Sequence, residues 1–181
     1  DKFVAEPPLD RATTLLGVGA KPHAMDGAPL AILIFHPVDQ ERNMAPDYVR
    51  GAVGTLVERG YHVLIGAPNA DPGNAALLAA MQDLALAPEV TFYGNTARPF
   101  FVNLMRHAAL MVGNSSAGLL EAASVGLPVI NLGERQRGRL CGGNVVFSDG
   151  DTSSFRIALD RVASEEFRNG MRTLVNPYGD G

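Results

Sequence analysis

The chain has no tryptophan, a single cysteine and four histidines, and aromatic residues make up only 7% of it. The lone thiol, Cys141, excludes an internal disulfide and a thiolate metal cage, and it reads as a bystander because no partner is recognisable. Excess charge of either sign is missing as well: 15 Lys and Arg are scattered among 19 Asp and Glu, for a formal net charge of -4. That balance removes the electrostatic case for nucleic acid or an anionic membrane as partner, so any anion must be held locally. Apolar stretches such as "PLAILIF" fall far short of the roughly 18 residues a membrane helix requires. The start has no basic-then-apolar signal pattern, and a cytoplasmic setting is expected. Low-complexity sequence and internal repeats are absent. So are an initiator Met before Asp1 and a terminus-like ending, since "NPYGDG" reads as a connection onward.

What is present is ordinary globular material, 181 residues of which 46% are apolar, enough for one domain with a full core. Apolar runs of strand length occur at 31–35, 62–66, 89–93, 109–113, 128–132 and 144–148. Between them, 46–59, 74–86, 98–107, 116–125 and 151–163 keep apolar residues at helical spacing, as in Val49, Val53, Leu56 and Val57. The runs are apolar at consecutive positions, as expected when helices cover both faces of a sheet. The expected fold is α/β, an open doubly wound parallel sheet of about six strands. Residues 1–28 read as a lead-in segment and linker, and 29–181 as the domain proper.

In such a sheet, ligands sit beyond the carboxyl ends of the strands. Four loops there are chemically unusual. After the first strand, His36 is followed by Pro37, Asp39, Glu41 and Arg42. A histidine at a strand end is compatible with a structural or a functional role, but His36 alone among the four has this address. After the second strand, "GAPNADPGN" carries Pro68, Asn69, Asp71, Pro72 and Gly73, and turn chemistry accounts for it without a ligand. After the fifth, "GERQRGR" brings Arg135, Arg137 and Arg139, which suit a solvated basic loop or, as planar forks, diphosphate oxygens.

The loop after the fourth strand is more specific. In "MVGNSSAGLLEAASVG", Gly113 and Asn114 allow a sharp turn, Ser115 and Ser116 are placed to cap a helix, and Gly118 opens the backbone to a ligand. Unpaired first-turn amides with two hydroxyls favour an anion, phosphate first. The stretch is neither a Walker A loop, lacking the Lys, nor a G-x-G-x-x-G fingerprint. Glu121, in the next turn, would repel phosphate but would accept two hydrogen bonds from a ribose diol. Phosphate with ribose means a nucleotide, although a capped helix with a favourably placed Glu explains the same residues without one.

The combination G-N-S-S-x-G-x-x-E followed by P-V-I-N-L-G-x-R-Q-x-G-R, with "FHPV" upstream and "NPYGDG" downstream, resembles the carboxy-terminal half of the hydrolysing UDP-N-acetylglucosamine 2-epimerases. The resemblance runs from His36 to Gly181. Non-hydrolysing relatives carry D-S-G-G at the turn, so Asn114-Ser115-Ser116 favours the hydrolysing branch. What it implies is one Rossmann-like half of a glycosyltransferase-B-type two-domain fold, with nucleotide held mainly by this half. Carried over, Ser115 and Ser116 hold diphosphate with Gly118 beside them, Glu121 the ribose hydroxyls, Arg135 the nucleotide end and Asn69 a further polar contact. His36 lies beside sugar and diphosphate as the catalytic candidate.

The implied chemistry is release of UDP from UDP-N-acetylglucosamine or a related UDP-N-acetyl-hexosamine, by elimination and then water addition, to give N-acetylmannosamine for sialic-acid-type sugars. The family's proton-transferring carboxylates belong to an amino-terminal domain that this chain does not contain, so that domain is an expected partner and the isolated chain is expected to be inactive. No cofactor and no metal are expected, and a homo-oligomer is left open. A glycosyltransferase of the same fold and a non-catalytic UDP-sugar-binding module are the competing readings.

Overall fold

The computed structural model describes residues 5–68 and 74–179. Six strands form one parallel sheet: β1 (Leu30–Ile34), β2 (His62–Gly66), β3 (Val90–Tyr93), β4 (Leu110–Gly113), β5 (Val129–Leu132) and β6 (Val145–Ser148). Each lies within one residue of the apolar run that announced it. The order is β3-β2-β1-β4-β5-β6, so the chain starts mid-sheet, builds outward, and returns to lay β4 on the other side of β1. Side chains of β2, β4 and β5 are buried throughout, whereas the edge strand β6 alternates, Val146 and Ser148 buried on one face and Val145 and Phe147 only half-buried on the other.

Helices cover both faces. On one, α2 (Ala45–Glu58), α3 (Ala75–Leu84) and α6 (Thr152–Ala163) pack Val49, Leu56, Leu77, Met81, Phe155 and Leu159 against Ala31, Leu33, Val63 and Ile130. On the other, α4 (Arg98–His107) packs Val102 and Met105 against Ile32, Leu64 and Met111. The start of α6 is fixed by Asp151, whose carboxylate accepts from the Ser153 and Ser154 amides at 2.9 and 3.0 Å.

The segment expected as lead-in and linker is structured. Asp10 caps α1 (Arg11–Gly17) by accepting from the Thr13 amide at 2.8 Å, and a 3-10 turn follows at Pro22–Asp26. Leu15, Val18 and Ala24 are buried in the same core as α4. Close approach of α1 to α4 depends on Gly17, since a Cβ there would stand 2.3 Å from the Phe100 ring. The fully buried Asn103 of α4 ties the incoming chain down, accepting from the Leu9 amide at 3.0 Å and donating to the Pro7 carbonyl at 2.9 Å. Three apolar residues in a seven-residue helix are too few to establish a period, which is why the segment reads as linker.

Two further elements depart from the expected pattern. A short helix, α7 (Glu165–Met171), follows α6 with Ser164 as its cap, accepting from the Phe167 amide at 3.2 Å. The expected helix over 116–125 is divided into α5 (Ala117–Leu120) and a 3-10 turn at Ala122–Val125, with Glu121 at the junction.

Two consequences are measurable. Leu15 is 1% exposed, so Leu15→Ala lowers unfolding free energy in urea by about 2–4 kcal/mol; a linker residue would show almost no change. His62 is buried at the start of β2, its Nε2 2.9 Å from the Thr91 hydroxyl and its Nδ1 3.2 Å from that of His23. Burial, reinforced by His23 and Lys21, pushes its pKa down from 6.5 to about 4. The unfolded chain therefore takes up a proton that the folded chain refuses, and stability falls as pH drops from about 6.5 to about 4. Thermal unfolding of His62→Gln is expected to show a shallower decline across that window than the unsubstituted chain.

Candidate functional site

The return of β4 beside β1 creates the topological switch point, where two loops part in opposite directions and leave a crevice. Its geometry begins with Gly113, the last residue of β4, paired with Ile34 and held at φ 124°. A Cβ at Gly113 would lie 1.9 Å from the Ile34 carbonyl oxygen, so glycine is the one residue that fits. The next residue, Asn114, is fully buried. Its amide donates to the Ile34 carbonyl at 3.0 Å, its Oδ1 accepts from the His36 amide at 2.7 Å, and its Nδ2 donates to the His36 carbonyl at 2.9 Å. The Asn114 carbonyl accepts from Gln136 Nε2 at 2.7 Å and from an Arg135 guanidinium nitrogen at 3.3 Å. One asparagine thus joins the loops leaving β1, β4 and β5.

Glu41 provides a second lock. Only 5% exposed, it accepts from the Glu134 amide at 2.8 Å through Oε1, and a Cβ on Gly133, held at φ 74°, would lie 2.3 Å from that oxygen. Its Oε2 is buried without a hydrogen-bond partner. Between the same loops, across the end of β4, a cleft of about 300 Å³ is lined by Val38, Asp39, Gln40, Glu134 and Arg135. A second cleft of about 180 Å³ lies at the ends of β1, β2 and β3, lined by Gly66, Ala67, Gly94, Asn95 and Thr96 among others. The Tyr93 and Thr96 hydroxyls are buried in that region without a partner, and burial holds the Tyr93 pKa above its usual value.

His36, Ser115, Ser116 and Arg135 meet at the switch point, as their positions in sequence suggested; Asn69 lies outside the described residues. The physical basis differs from the expected one at three places. With only four residues in α5, a helix dipole supplies little. Ser116 occupies the cap position but accepts no amide, while Ser115 Oγ accepts from the Ala117 amide at 3.3 Å. What remains for an anion is the pair of Ser115 and Ser116 main-chain amides, which donate to no other described residue, and the exposed Ser116 hydroxyl. Gly118 faces inward: a Cβ there would meet Val129 at 3.0 Å, and its amide donates to the Ser115 carbonyl at 3.2 Å. Its missing side chain lets α5 settle on β5 instead of admitting a ligand.

The third difference concerns the arginines. Arg137 pairs with Glu134 and Asp149 and lies 5.6 Å over the Phe147 ring, and Arg139 donates to Gln136 Oε1 at 2.7 Å. Arg135 alone of the three reaches the Asn114 carbonyl, immediately before Ser115. Glu121 is half-buried, and burial raises its pKa above 4.5, partly countered by the Arg98 charge. In sequence, Asn114 reads as a turn residue and branch marker and Gln136 only as a motif position, so the hub they form was not foreseen. Residue type does not reveal which main-chain groups an amide side chain will join.

Comparison with known proteins meets this geometry at residues 10–181, which match the family model described as UDP-N-acetylglucosamine 2-epimerase. The chain belongs to the UDP-N-acetylglucosamine 2-epimerase family. It is 33% identical to UDP-N-acetylglucosamine 2-epimerase of Neisseria meningitidis over 74% of this chain and 35% of that one. It is 29% identical to the hydrolyzing UDP-N,N'-diacetylbacillosamine 2-epimerase of Legionella pneumophila over 84% of this chain and 39% of that one. The chain therefore spans less than two fifths of the length of these two relatives.

Among solved structures, the N. meningitidis enzyme bound to UDP-GlcNAc superposes with a TM-score of 0.67 at 16% identity, over 94% of this chain and 45% of that one. The C-terminal domain of a glycosyl transferase group 1 family protein from Francisella tularensis superposes at 0.59 and 18% identity, over 97% and 93%. These two likenesses concern the fold: a Rossmann-like half of the glycosyltransferase-B type. No helix among the described residues is long and apolar enough to cross a membrane, and no group of three or more His, Cys, Asp or Glu there is placed to hold a metal ion.

The Asn114 clasp predicts a specific sensitivity. Asn114→Asp keeps the shape but removes the Nδ2 donor and buries a carboxylate against the His36 carbonyl. Unfolding free energy in urea is expected to fall by about 2–4 kcal/mol, as for a buried charge left unpaired; a loss under about 0.5 kcal/mol would contradict the clasp.

Proposed function

We propose that this chain is the nucleotide-binding half of a cytoplasmic, hydrolysing UDP-N-acetylglucosamine 2-epimerase, releasing UDP and N-acetylmannosamine or a related 2-acetamido sugar for sialic-acid-type sugar synthesis. The observation that carries the reading is the Asn114 hub, which gathers His36, the Ser115 and Ser116 amides and Arg135 at the switch point of a family member. Diphosphate sits on the serine amides and the Ser116 hydroxyl, its charge met by Arg135. Ribose hydroxyls donate to Glu121, and the uracil turns toward the cleft at Gly94–Thr96, where the unpartnered Tyr93 and Thr96 hydroxyls lie. Asn69 adds a polar contact from the loop after β2.

The reaction is an elimination. A base takes the proton from sugar C2, the C1–C2 double bond forms, and the C1–O bond breaks with its electron pair leaving on UDP. Water then adds across the glycal, hydroxyl to C1 and proton to the opposite face of C2. In this chain, Arg135 and the two amides stabilise the leaving diphosphate, where charge develops, and His36 stands beside sugar and diphosphate. The C2 base is assigned to an amino-terminal domain, in keeping with a chain that spans 35% and 39% of the relatives above. Asn114-Ser115-Ser116 and the name of the L. pneumophila relative support the hydrolysing branch.

Calorimetric titration with UDP tests the reading. Ser116→Ala and Glu121→Ala are each expected to weaken binding by about 10-fold to 100-fold, the range of one charge-assisted hydrogen bond; unchanged affinity in both variants would defeat it. UDP-N-acetylglucosamine incubated with the 181-residue chain is expected to release no UDP. The full-length enzyme should release it without an acceptor, whereas a glycosyltransferase of this fold would require one.

Glu121 also sets a pH dependence. Its pKa is raised by burial, and the ribose contact needs the ionised form, so UDP affinity declines on acidification from a point above 4.5. Glu121→Gln shares the titration of UDP itself, so a difference between the two pH profiles isolates the carboxylate.

A further inference from the structure

Glu121 does not sit in a continuous helix. Its backbone, at φ -115° and ψ -37°, marks the point where α5 gives way to the 3-10 turn. The change is visible in the hydrogen bonds. In an uninterrupted α-helix the Ser124 amide would donate to the Leu120 carbonyl, but here it turns to Glu121 at 3.0 Å. The released Leu120 carbonyl is taken by a residue 56 positions away: Asn176 Nδ2 donates to it at 2.9 Å and lies 2.6 Å from the Ser124 hydroxyl. One side-chain amide therefore spans the junction from both ends, with Glu121 between them.

Asn176 is itself held. Its Oδ1 accepts from the Tyr178 amide at 3.0 Å, and the Tyr178 hydroxyl donates to the Leu140 carbonyl at 2.9 Å. Leu174 on the same segment and Ala123 of the 3-10 turn both border Gly142, each 3.5 Å from where a Gly142 Cβ would stand. The tail thus has one polar clasp on the turn that follows Glu121.

We propose that Asn176 is a positioning residue for ribose recognition: by holding the Leu120 carbonyl and the Ser124 hydroxyl, it fixes the helix break that aims Glu121 at the sugar hydroxyls of the nucleotide. This rests on the assignment of Glu121 to ribose. Asn176 touches no ligand, so its removal alters discrimination at the ribose rather than diphosphate binding as a whole. A merely structural brace would weaken all nucleotides equally or lower stability alone.

The test compares UDP with 2'-deoxy-UDP on this chain, by calorimetry or NMR titration, in the unsubstituted protein and in Glu121→Ala, Asn176→Asp and Ser124→Ala. Asn176→Asp keeps the acceptor for the Tyr178 amide and deletes both Nδ2 donors, and the segment is exposed enough for the variant to fold. The unsubstituted chain is expected to favour UDP by about 10-fold, the worth of one charge-assisted hydrogen bond. Asn176→Asp should bring that ratio to about 2-fold or less by weakening UDP while leaving 2'-deoxy-UDP nearly unchanged, and Ser124→Ala should give an intermediate ratio. If Glu121→Ala abolishes the preference but Asn176→Asp retains it, the positioning role is overturned and the ribose assignment stands. If the unsubstituted chain shows no preference, or Glu121→Ala preserves it, the ribose assignment fails and takes this inference with it.

Discussion

The candidate site depends on satisfying main-chain groups where a parallel sheet changes direction. At the end of β1 and β4 the ladder stops, and the His36 amide and carbonyl lie where the loops diverge. A buried amide and carbonyl in that position each cost free energy unless hydrogen-bonded. Asn114 supplies both partners with its side chain, imitating one further rung of sheet. That imitation requires β4 to approach β1 so closely that Gly113 can carry no side chain. It also leaves the Asn114 carbonyl facing the next loop, where Gln136 and Arg135 converge on it. The placement of the serine amides, His36 and Arg135 follows from this rung.

Charge around the site is arranged locally rather than by a general field. Several ion pairs are exposed and lie on helices away from the crevice, such as Arg59 with Asp160 and Arg156 with Glu58, and such pairs contribute about 0–1 kcal/mol each. The basic loop after β5 is partitioned in the same way. Arg137 is neutralised by Glu134 and Asp149, which leaves Arg135 as the cation of that loop directed at the turn. An acidic chain can therefore present a cationic contact at one place.

The strands were legible because a layer covered on both faces must be apolar at consecutive positions. The helices were legible where they were long enough to repeat, as α2 and α6 are. Helix α1 was not, since Leu15 and Val18 make one turn of a pattern and the capping by Asp10 is indistinguishable in sequence from a polar loop. The division at Glu121 was hidden for a different reason. Leu119, Ala122 and Ala123 are spaced as in a continuous helix, and the carbonyl released at the break finds its partner in an amide 56 positions away. Direction was equally invisible: Gly118 looked open to a ligand although its bare face meets Val129, and three arginines in seven residues gave no indication of which one points inward. Residue type suggested an anion contact for Ser115 and Ser116 and a ribose contact for Glu121, while Asn114 and Gln136, which join the loops around them, carried no such signal.

The side-chain rung at Asn114 has a dynamic consequence. Separating the loops after β1 and β4 requires breaking the His36 and Asn114 contacts together, along with the Asn114 amide bond to Ile34. Such cooperative openings are rare compared with ordinary loop motion, so the His36 and Asn114 amides should exchange with solvent as slowly as those of the strands. The crevice then has a stiff base, so a ligand bound there would spend little of its binding free energy on ordering main chain that is already in place.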